Sequence, residues 1–545
     1  MRELSRRQAI IGLGAFTLAV AGCGEGETPK KTGDVSANKA GSMAGYAVGR
    51  QFKATEPISF DVLYNNHSFY PLKNDWLFWQ ELTKRTNVTL KPVAVPLSDY
   101  EKKRGLLVGS GQAPLIIPKT YHPQEEAFVA SGAILPVSEY MDLMPNFKDQ
   151  VAKWRMDPEL NLLRQADGRF YLLPGLHEEI WVDYTLAVRT DIMEKLGLET
   201  PKTWDDLYTV LKAMKAEYPD LYPMTDRWGV PTPGGNLLKL VAQAYGTKGG
   251  WEYQHATWDP ALGKFAYTGA MPQYKQMIEY LNKLVKEKLL DPESFTQQDE
   301  QAKQKFNSGK SFVISANAQS LINDYRPTLT ELNPEAKIAK IPVPLGPVGD
   351  YKIGPRTENG VMISKKALEN KNFVALMQFI DWLWYSPEGA EFAKWGVEGT
   401  TYTKDASGHY KLADDIDFVG LNAGAPKHLQ KDFGFSNGVF AYGGTTELLN
   451  STFSEEELEF QNVMNARKPW PVEPPHPFND EEREQATLWE TPLKDHVTQQ
   501  TLKFILGERD LSEWDAYVKE LEGKNMTSYM NIVNTAYERF KKEHG

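Results

Sequence analysis

Ile58-Ser59-Phe60-Asp61-Val62-Leu63-Tyr64 alternates apolar and polar side chains, the pattern of a strand with one face buried. Asn65-Asn66 follows as a loop. From Asp75 to Thr86 the spacing turns helical, with Trp76, Trp79 and Leu82 on one stripe. Val88-Thr89-Leu90-Lys91-Pro92-Val93 then reads as a second strand. Strand, helix, strand in that order is a βαβ unit, which requires parallel pairing and predicts an α/β fold.

Working outward, Leu115-Ile116-Ile117 is a short apolar strand, and Gln124–Ser131 is expected as a helix ending at Gly132. Asp167-Gly168 is a turn before a strand at Phe170–Leu173 that Pro174 should stop. Thr185–Arg189 and Ser311–Ser315 are further strands. Thr203 and Asp206 have the spacing of an N-cap and its third helical residue, opening a helix to about Tyr218. Long helices follow at Pro272–Lys288 and Asn372–Tyr385, and the C-terminal part is rich in helix. Pro469 to Pro477 holds five prolines and reads as a rigid loop.

Upstream, Arg2, Arg6 and Arg7 precede an apolar run from Ala9 to Gly22, too short to cross a bilayer that needs about 20 residues. The run ends in Val20-Ala21-Gly22-Cys23, which resembles a bacterial lipobox with Cys23 as the acylated residue. Ser5-Arg6-Arg7-Gln8-Ala9-Ile10 also resembles a twin-arginine export motif, departing from it at Ala9. Residues 1–22 are therefore expected as a lipoprotein signal peptide and 23–56, rich in small and polar residues, as a flexible tether. Cys23 is the only cysteine in the sequence, so once it is acylated no thiol remains for a disulfide, a metal site or a nucleophile. The chain is expected at the cell membrane, lipid-anchored on the extracellular face or in the periplasm.

The 545 residues carry 61 basic and 72 acidic side chains, net -11, and loss of three Arg and one Glu with residues 1–22 makes that -13. An acidic balance argues against nucleic acid. Length and a 41% hydrophobic share provide for two large lobes.

Five further segments carry a resemblance. They are Ala133–Met141, Asp167-Gly168-Arg169-Phe170-Tyr171-Leu172-Leu173-Pro174, Val188–Leu198, Pro201-Lys202-Thr203-Trp204-Asp205-Asp206-Leu207, and Tyr385-Ser386-Pro387-Glu388-Gly389 followed by Trp395-Gly396-Val397-Glu398-Gly399. In order and spacing they resemble the family 1 extracellular solute-binding proteins of ABC transporters, most of all the LplA/LipO-type lipoproteins and the alginate-oligosaccharide-binding proteins. The resemblance implies a two-lobed periplasmic-binding-protein-like fold (type II) with a hinge between the lobes. The expected boundaries are 57–175 plus about 312–430 for the N-terminal lobe, and 176–311 plus about 431–545 for the C-terminal lobe. It implies capture of a carbohydrate, an oligosaccharide, and delivery to the permease subunits of an importer by a monomer. The alginate-binding relatives carry a calcium loop after the helix matching Thr203–Glu217. Here Tyr218–Met224 lacks the alternating oxygen ligands, so no metal and no cofactor is expected.

Sugars are held by aromatic faces and by planar polar side chains. Such residues beside strands are Tyr64, Asn65 and His67; His177, Glu178 and Trp181; Asn317; and Arg356 and Glu358, while Arg227, Trp228 and Trp251 lie in irregular sequence, Trp395 in the late motif, and Phe433, Phe435 and Tyr442 in a glycine-rich loop. The family layout brings the loops of His177–Trp181 and Asn65 to the cleft. Two other classes stay open. A carbohydrate-active enzyme would use Glu178 or Glu179 as acid, and a lipoprotein could bind a peptide or act in sensing. Metalloprotease, P-loop and nucleophile-elbow motifs are all broken at essential positions.

Overall fold

The computed structural model describes residues 35–227 and 234–544. The opening unit forms as its pattern dictates. Strand Ile58–Asn66 lies parallel to Val88–Pro96 in unbroken register from Ile58 opposite Val88 to Asn66 opposite Pro96. Helix Leu77–Thr86 joins them and ends where Asn87 takes a left-handed conformation (φ 57°). Their sheet has five strands in the order Val88–Pro96, Ile58–Asn66, Ile116–Thr120, Thr357–Ile363, Leu173–Leu176. The first three are parallel, and Thr357–Ile363 runs antiparallel to both its neighbours. Pro174 sits inside the last strand rather than stopping it. It lies opposite Gly360 at a shift of register, where a missing ladder donor is tolerated.

Helix Phe373–Tyr385 packs in this lobe and is buried at all 13 positions, as expected of a segment apolar on every side. Its two polar residues are fully engaged. Gln378 binds both backbone groups of Met43. Asp381 accepts from the amides of Phe147 (2.8 Å) and Asn146 (3.1 Å), from Asn146 Nδ2 (2.7 Å) and from the Tyr46 hydroxyl (2.9 Å). These contacts correct the tether. From Val35 onward the chain lies on the lobe, with Phe52 buried against Phe379. Its small residues mask a segment held by hydrogen bonds as well as by a few buried apolar side chains such as Phe52 and Ala54. Residues 23–34, with Cys23, and the signal segment lie outside the described residues.

The second lobe is built on strand Thr185–Arg189, antiparallel to Val313–Ala316 and to Ile338–Lys340. Thr203 and Asp206 form the expected reciprocal cap: Asp206 N donates to Thr203 Oγ1 (3.0 Å) and Thr203 N to Asp206 Oδ2 (2.9 Å). Helices Pro272–Lys286, Asp480–Leu506, Trp514–Glu522 and Met526–His544 close its core. The lobe boundaries therefore move. Residues 313–340, expected in the first lobe, pair with the second lobe's central strand. Phe435, Val439, Phe440 and Tyr442, expected in the second, belong to the first core. The Gln124–Ser131 helix is reduced to a single turn at Glu126–Phe128.

The chain crosses between lobes three times, after Leu176, after Lys340 and after the helix Glu455–Asn465. Each crossing contributes to one small apolar cluster: Ile180 and Val182 from the first, Val343 from the second, Phe460 and Met464 from the third. A buried ion pair, Lys340 Nζ to Glu457 Oε2 at 2.8 Å, ties the second to the third.

Candidate functional site

Both sheets present one edge to the junction between the lobes. Asn65 and Lys119 stand at the C-terminal ends of parallel strands, and His177 immediately follows Leu173–Leu176. Glu358 opens the antiparallel strand, so it reaches the same edge. On the second lobe Asp183 and Tyr184 precede the central strand, and Asn317 follows its antiparallel neighbour. Crevices at strand ends are where open α/β sheets bind ligands.

His177 Nε2 lies 2.5 Å from Glu358 Oε2. Burial alone would raise the Glu358 carboxyl, but His177, with Lys394 and Lys119, outweighs it and holds the group below its ordinary range. Across the junction Asp183 is pushed up, first by burial, against the opposing pull of Lys340 and Asn317. His67 is depressed to about 4 by burial and then by Lys119 and Lys303, so it is neutral at pH 7. Its Nδ1 accepts the Phe69 amide (3.0 Å), which leaves the proton on Nε2. Several buried polar atoms along this edge have no partner among the described residues: Asn65 Oδ1, His177 Nδ1, Trp181 Nε1, Asn359 Oδ1 and the Tyr442 hydroxyl. A buried polar atom is costly to leave unpaired, so each of these can form a hydrogen bond with a ligand at this edge.

Aromatic exposure is equally localised. Among the described large apolar side chains that are exposed, only Tyr121 and Trp251 are aromatic. Tyr184 connects them. Its ring meets Trp251 edge-on at 5.3 Å, and it lies within electrostatic reach of Tyr121 and Lys119 from the other lobe. The lobes touch beside this crevice, through Gln319 Nε2 to Gln430 Oε1 (3.0 Å) and through an ion pair between Arg483 and Glu126.

Of the residues chosen from sequence, Asn65, His67, His177, Trp181, Glu358, Tyr442 and Trp251 are brought to the junction. Arg227 lies buried with its guanidinium over the Tyr325 ring. Others are corrected. Tyr64 is a core residue that donates to Tyr70 O (2.8 Å). Trp395 is buried, donating to Ser451 Oγ (3.0 Å) and stacked on Tyr410. Phe435 is wholly buried against Phe78 and Phe392, and Phe433 packs on the same core. The glycines around them allow close packing rather than an open loop: Gly434 (φ 82°) would place a Cβ 2.6 Å from the Trp76 ring. Glu178 accepts the Thr446 amide (2.9 Å). Arg356 donates to the carbonyls of Glu178 and Trp154 and to Glu159. Asn317 caps Ser320 and donates to Asp183. These three position the crossings. Trp228 lies outside the described residues. Lys119, Tyr121, Asp183, Tyr184 and Glu252 are not singled out by the sequence, although Lys119 lies in the strand Ile116–Thr120 and Tyr121 directly follows it.

Among the described residues no three His, Cys, Asp or Glu side chains converge to hold a metal. In the loop after helix Trp204–Glu217, Lys215 Nζ donates to the carbonyls of Pro219 (2.7 Å) and Leu221 (2.8 Å) beside the Tyr222 ring. The chain thus supplies its own cation to that loop. Lys215→Met is expected to lower stability by about 1–2 kcal/mol, since hydrogen bonds from a charged donor are lost. Chelator should leave the thermal midpoint of the unmodified protein where it is, and a fall on adding EDTA would contradict this account of the loop.

Comparison with known proteins adds to this geometry. The family model described as bacterial extracellular solute-binding protein matches residues 75–391. The fructooligosaccharide ABC transporter substrate-binding protein FusA of Streptococcus pneumoniae serotype 4 is 25% identical over 498 residues, covering 86% of this chain and 88% of its own. The polygalacturonan/rhamnogalacturonan-binding protein YtcQ of Bacillus subtilis is 23% identical over 477 residues, 85% of this chain and 88% of its own. The crystal structure of the alginate-binding protein AlgQ2 without calcium ion superposes with a TM-score of 0.69 at 20% identity, covering 90% of this chain and 99% of that one.

Proposed function

The chain belongs to the bacterial extracellular solute-binding proteins, and from that premise we propose that it captures an oligosaccharide between its lobes and passes it to the permease subunits of an ABC importer. The observation that carries this reading is the pair of exposed aromatic rings, Tyr121 and Trp251, on opposite lobes at one crevice. Flat apolar faces beside unsatisfied polar atoms suit a pyranose, whose C–H faces stack while its hydroxyls complete hydrogen bonds. The names of FusA and YtcQ, which state saccharide binding, support the same class. Asn65, His67, His177, Trp181, Glu358, Tyr442, Arg227 and Trp251 from the sequence, with Lys119, Tyr121 and Tyr184, form the proposed contact set. Export and acylation at Cys23 would hold the protein at the outer face of the membrane.

Binding works by closure. A ligand touching both lobes favours the arrangement in which both touch it, and the three-segment hinge cluster is the place that bends. An enzymatic reading finds little support, because the Glu178 carboxylate accepts the Thr446 amide and Glu179 stands 4.0 Å from Lys352 Nζ.

The test is thermal unfolding of residues 24–545 with a panel of neutral and acidic oligosaccharides. A ligand at about 100 times its dissociation constant is expected to add ~2.7 kcal/mol. Recovery of the sugar intact after a shift supports capture. Cleaved sugar, or no shift with any saccharide, would overturn it.

A further inference from the structure

Lys119 is held in a conformation that a lysine does not choose. Its φ is 54°, in the left-handed region, which costs a non-glycine residue about 1–2 kcal/mol. It lies at a shift of register between strands Ile116–Thr120 and Thr357–Ile363, where Gly360 pairs with Thr120 but Met362 pairs with Ile117. Extra residues of this kind re-aim side chains beside functional sites. The irregularity is pinned from beneath: the Tyr100 hydroxyl donates to Pro118 O (2.7 Å), and the buried Arg104 donates to Lys119 O (2.6 Å). Strain persists only where its surroundings impose it, and here two buried side chains do so.

The ammonium so placed feels the Glu358 carboxylate, which is itself bound to His177. Lys119 Nζ lies 5.6 Å from the Tyr121 ring centroid and forms no ion pair with a described carboxylate. The acids around the crevice are already engaged. Glu358 is bound to His177. Asp183 accepts from Asn317, and Glu252 is paired with Lys239 at 2.8 Å and accepts from Gln243 at 2.7 Å. Lys394, buried within electrostatic reach of Glu358, likewise forms no ion pair with a described carboxylate.

Resting on the oligosaccharide reading above, we propose that the ligand is acidic, and that Lys119 receives a sugar carboxylate while the ring bearing it packs on Tyr121. The strained backbone fixes the cation in place before ligand arrives, so little order is lost on binding. A uronate in this position gains a charge-assisted hydrogen bond that a neutral sugar lacks.

The experiment uses calorimetry with oligosaccharides of galacturonate, glucuronate and mannuronate, each against its methyl-esterified form, which keeps the rings and removes the charge. The uronates are expected to bind at least about tenfold tighter than their esters, a margin that narrows with added salt, as a charge-assisted hydrogen bond predicts. Lys119→Gln should lose most of that margin, the affinity for the uronates falling by far more than that for the esters. Lys119→Arg, which keeps the charge at the same strained backbone, should retain it. Equal binding of acid and ester, neutral sugars alone binding, or an equal loss for both in Lys119→Gln would overturn the inference and leave the binding function standing. If no saccharide of either kind binds, the proposed function falls and this inference with it.

Discussion

Replacing Asp381 by Ala is expected to lower the unfolding free energy by about 3–5 kcal/mol, since four donor contacts lose their acceptor and an unsatisfied buried donor costs about 1–3 kcal/mol. The carboxylate accepts two backbone amides at the start of helix Pro145–Trp154, the Asn146 side chain and the Tyr46 hydroxyl. Its removal strands those donors in a dry interior and loosens the hold on residues 35–56. Urea titration gives the number, and a loss below about 1 kcal/mol would mean that water replaces the carboxylate without penalty. The same residue gives a signed pH dependence. Burial, against the pull of Phe147 and Asn146, raises the Asp381 carboxyl to about 6 in the folded chain, against about 3.9 unfolded. Between those values the folded state holds a proton that the unfolded state has lost. The contribution of this group is therefore fully present below about pH 4 and fades as pH rises through about 6. Asp226, also at about 6 and chiefly for the same reason, acts in the same direction. From pH 4 to 6, the protein should lose stability relative to Asp381→Asn, and parallel profiles would exclude the mechanism.

The second large effect concerns affinity. Tyr121→Ala and Trp251→Ala should each weaken the tightest ligand found by the thermal panel by about 2 kcal/mol, roughly thirtyfold, as aromatic anchors at the centre of a contact do. Both side chains are exposed in the unliganded protein, so the thermal midpoint without ligand should scarcely move. This separates a lost platform from a damaged fold. Wild-type affinity in both variants would remove the observation on which the sugar reading rests.

The βαβ opening, the Thr203–Asp206 cap and the buried helix Phe373–Tyr385 were legible because each is a local pattern: period two, a fixed three-residue spacing, and apolarity on every side. The lobe boundaries were not. Strand Val313–Ala316 joins Thr185–Arg189 by pairing across more than a hundred residues, which no local period encodes. The site divides in the same way. His177, Asn65 and Glu358 followed from their positions at strand ends. Trp395 and Phe435 were chosen for ring chemistry alone, and whether a ring faces a crevice or a core depends on neighbours far along the chain. Lys119 was invisible for a different reason: its importance lies in a backbone angle and in the lack of an ion-pair partner among the described residues, neither of which is written in residue type.

The order in which the lobes are completed has a consequence for biogenesis. The first lobe's core takes its last members from around Leu448, whereas the second lobe's core needs Phe504, Tyr517, Val533 and Ala536 from the chain's final helices. During synthesis or threading across a membrane, the second lobe must wait, with its central strand and early helices lacking a roof, until the last turns emerge. Chaperones or proteases would meet a half-built receptor whose exposed apolar face is the one that these late helices cover, and premature termination within Asp480–Leu506 would leave one finished lobe and no crevice.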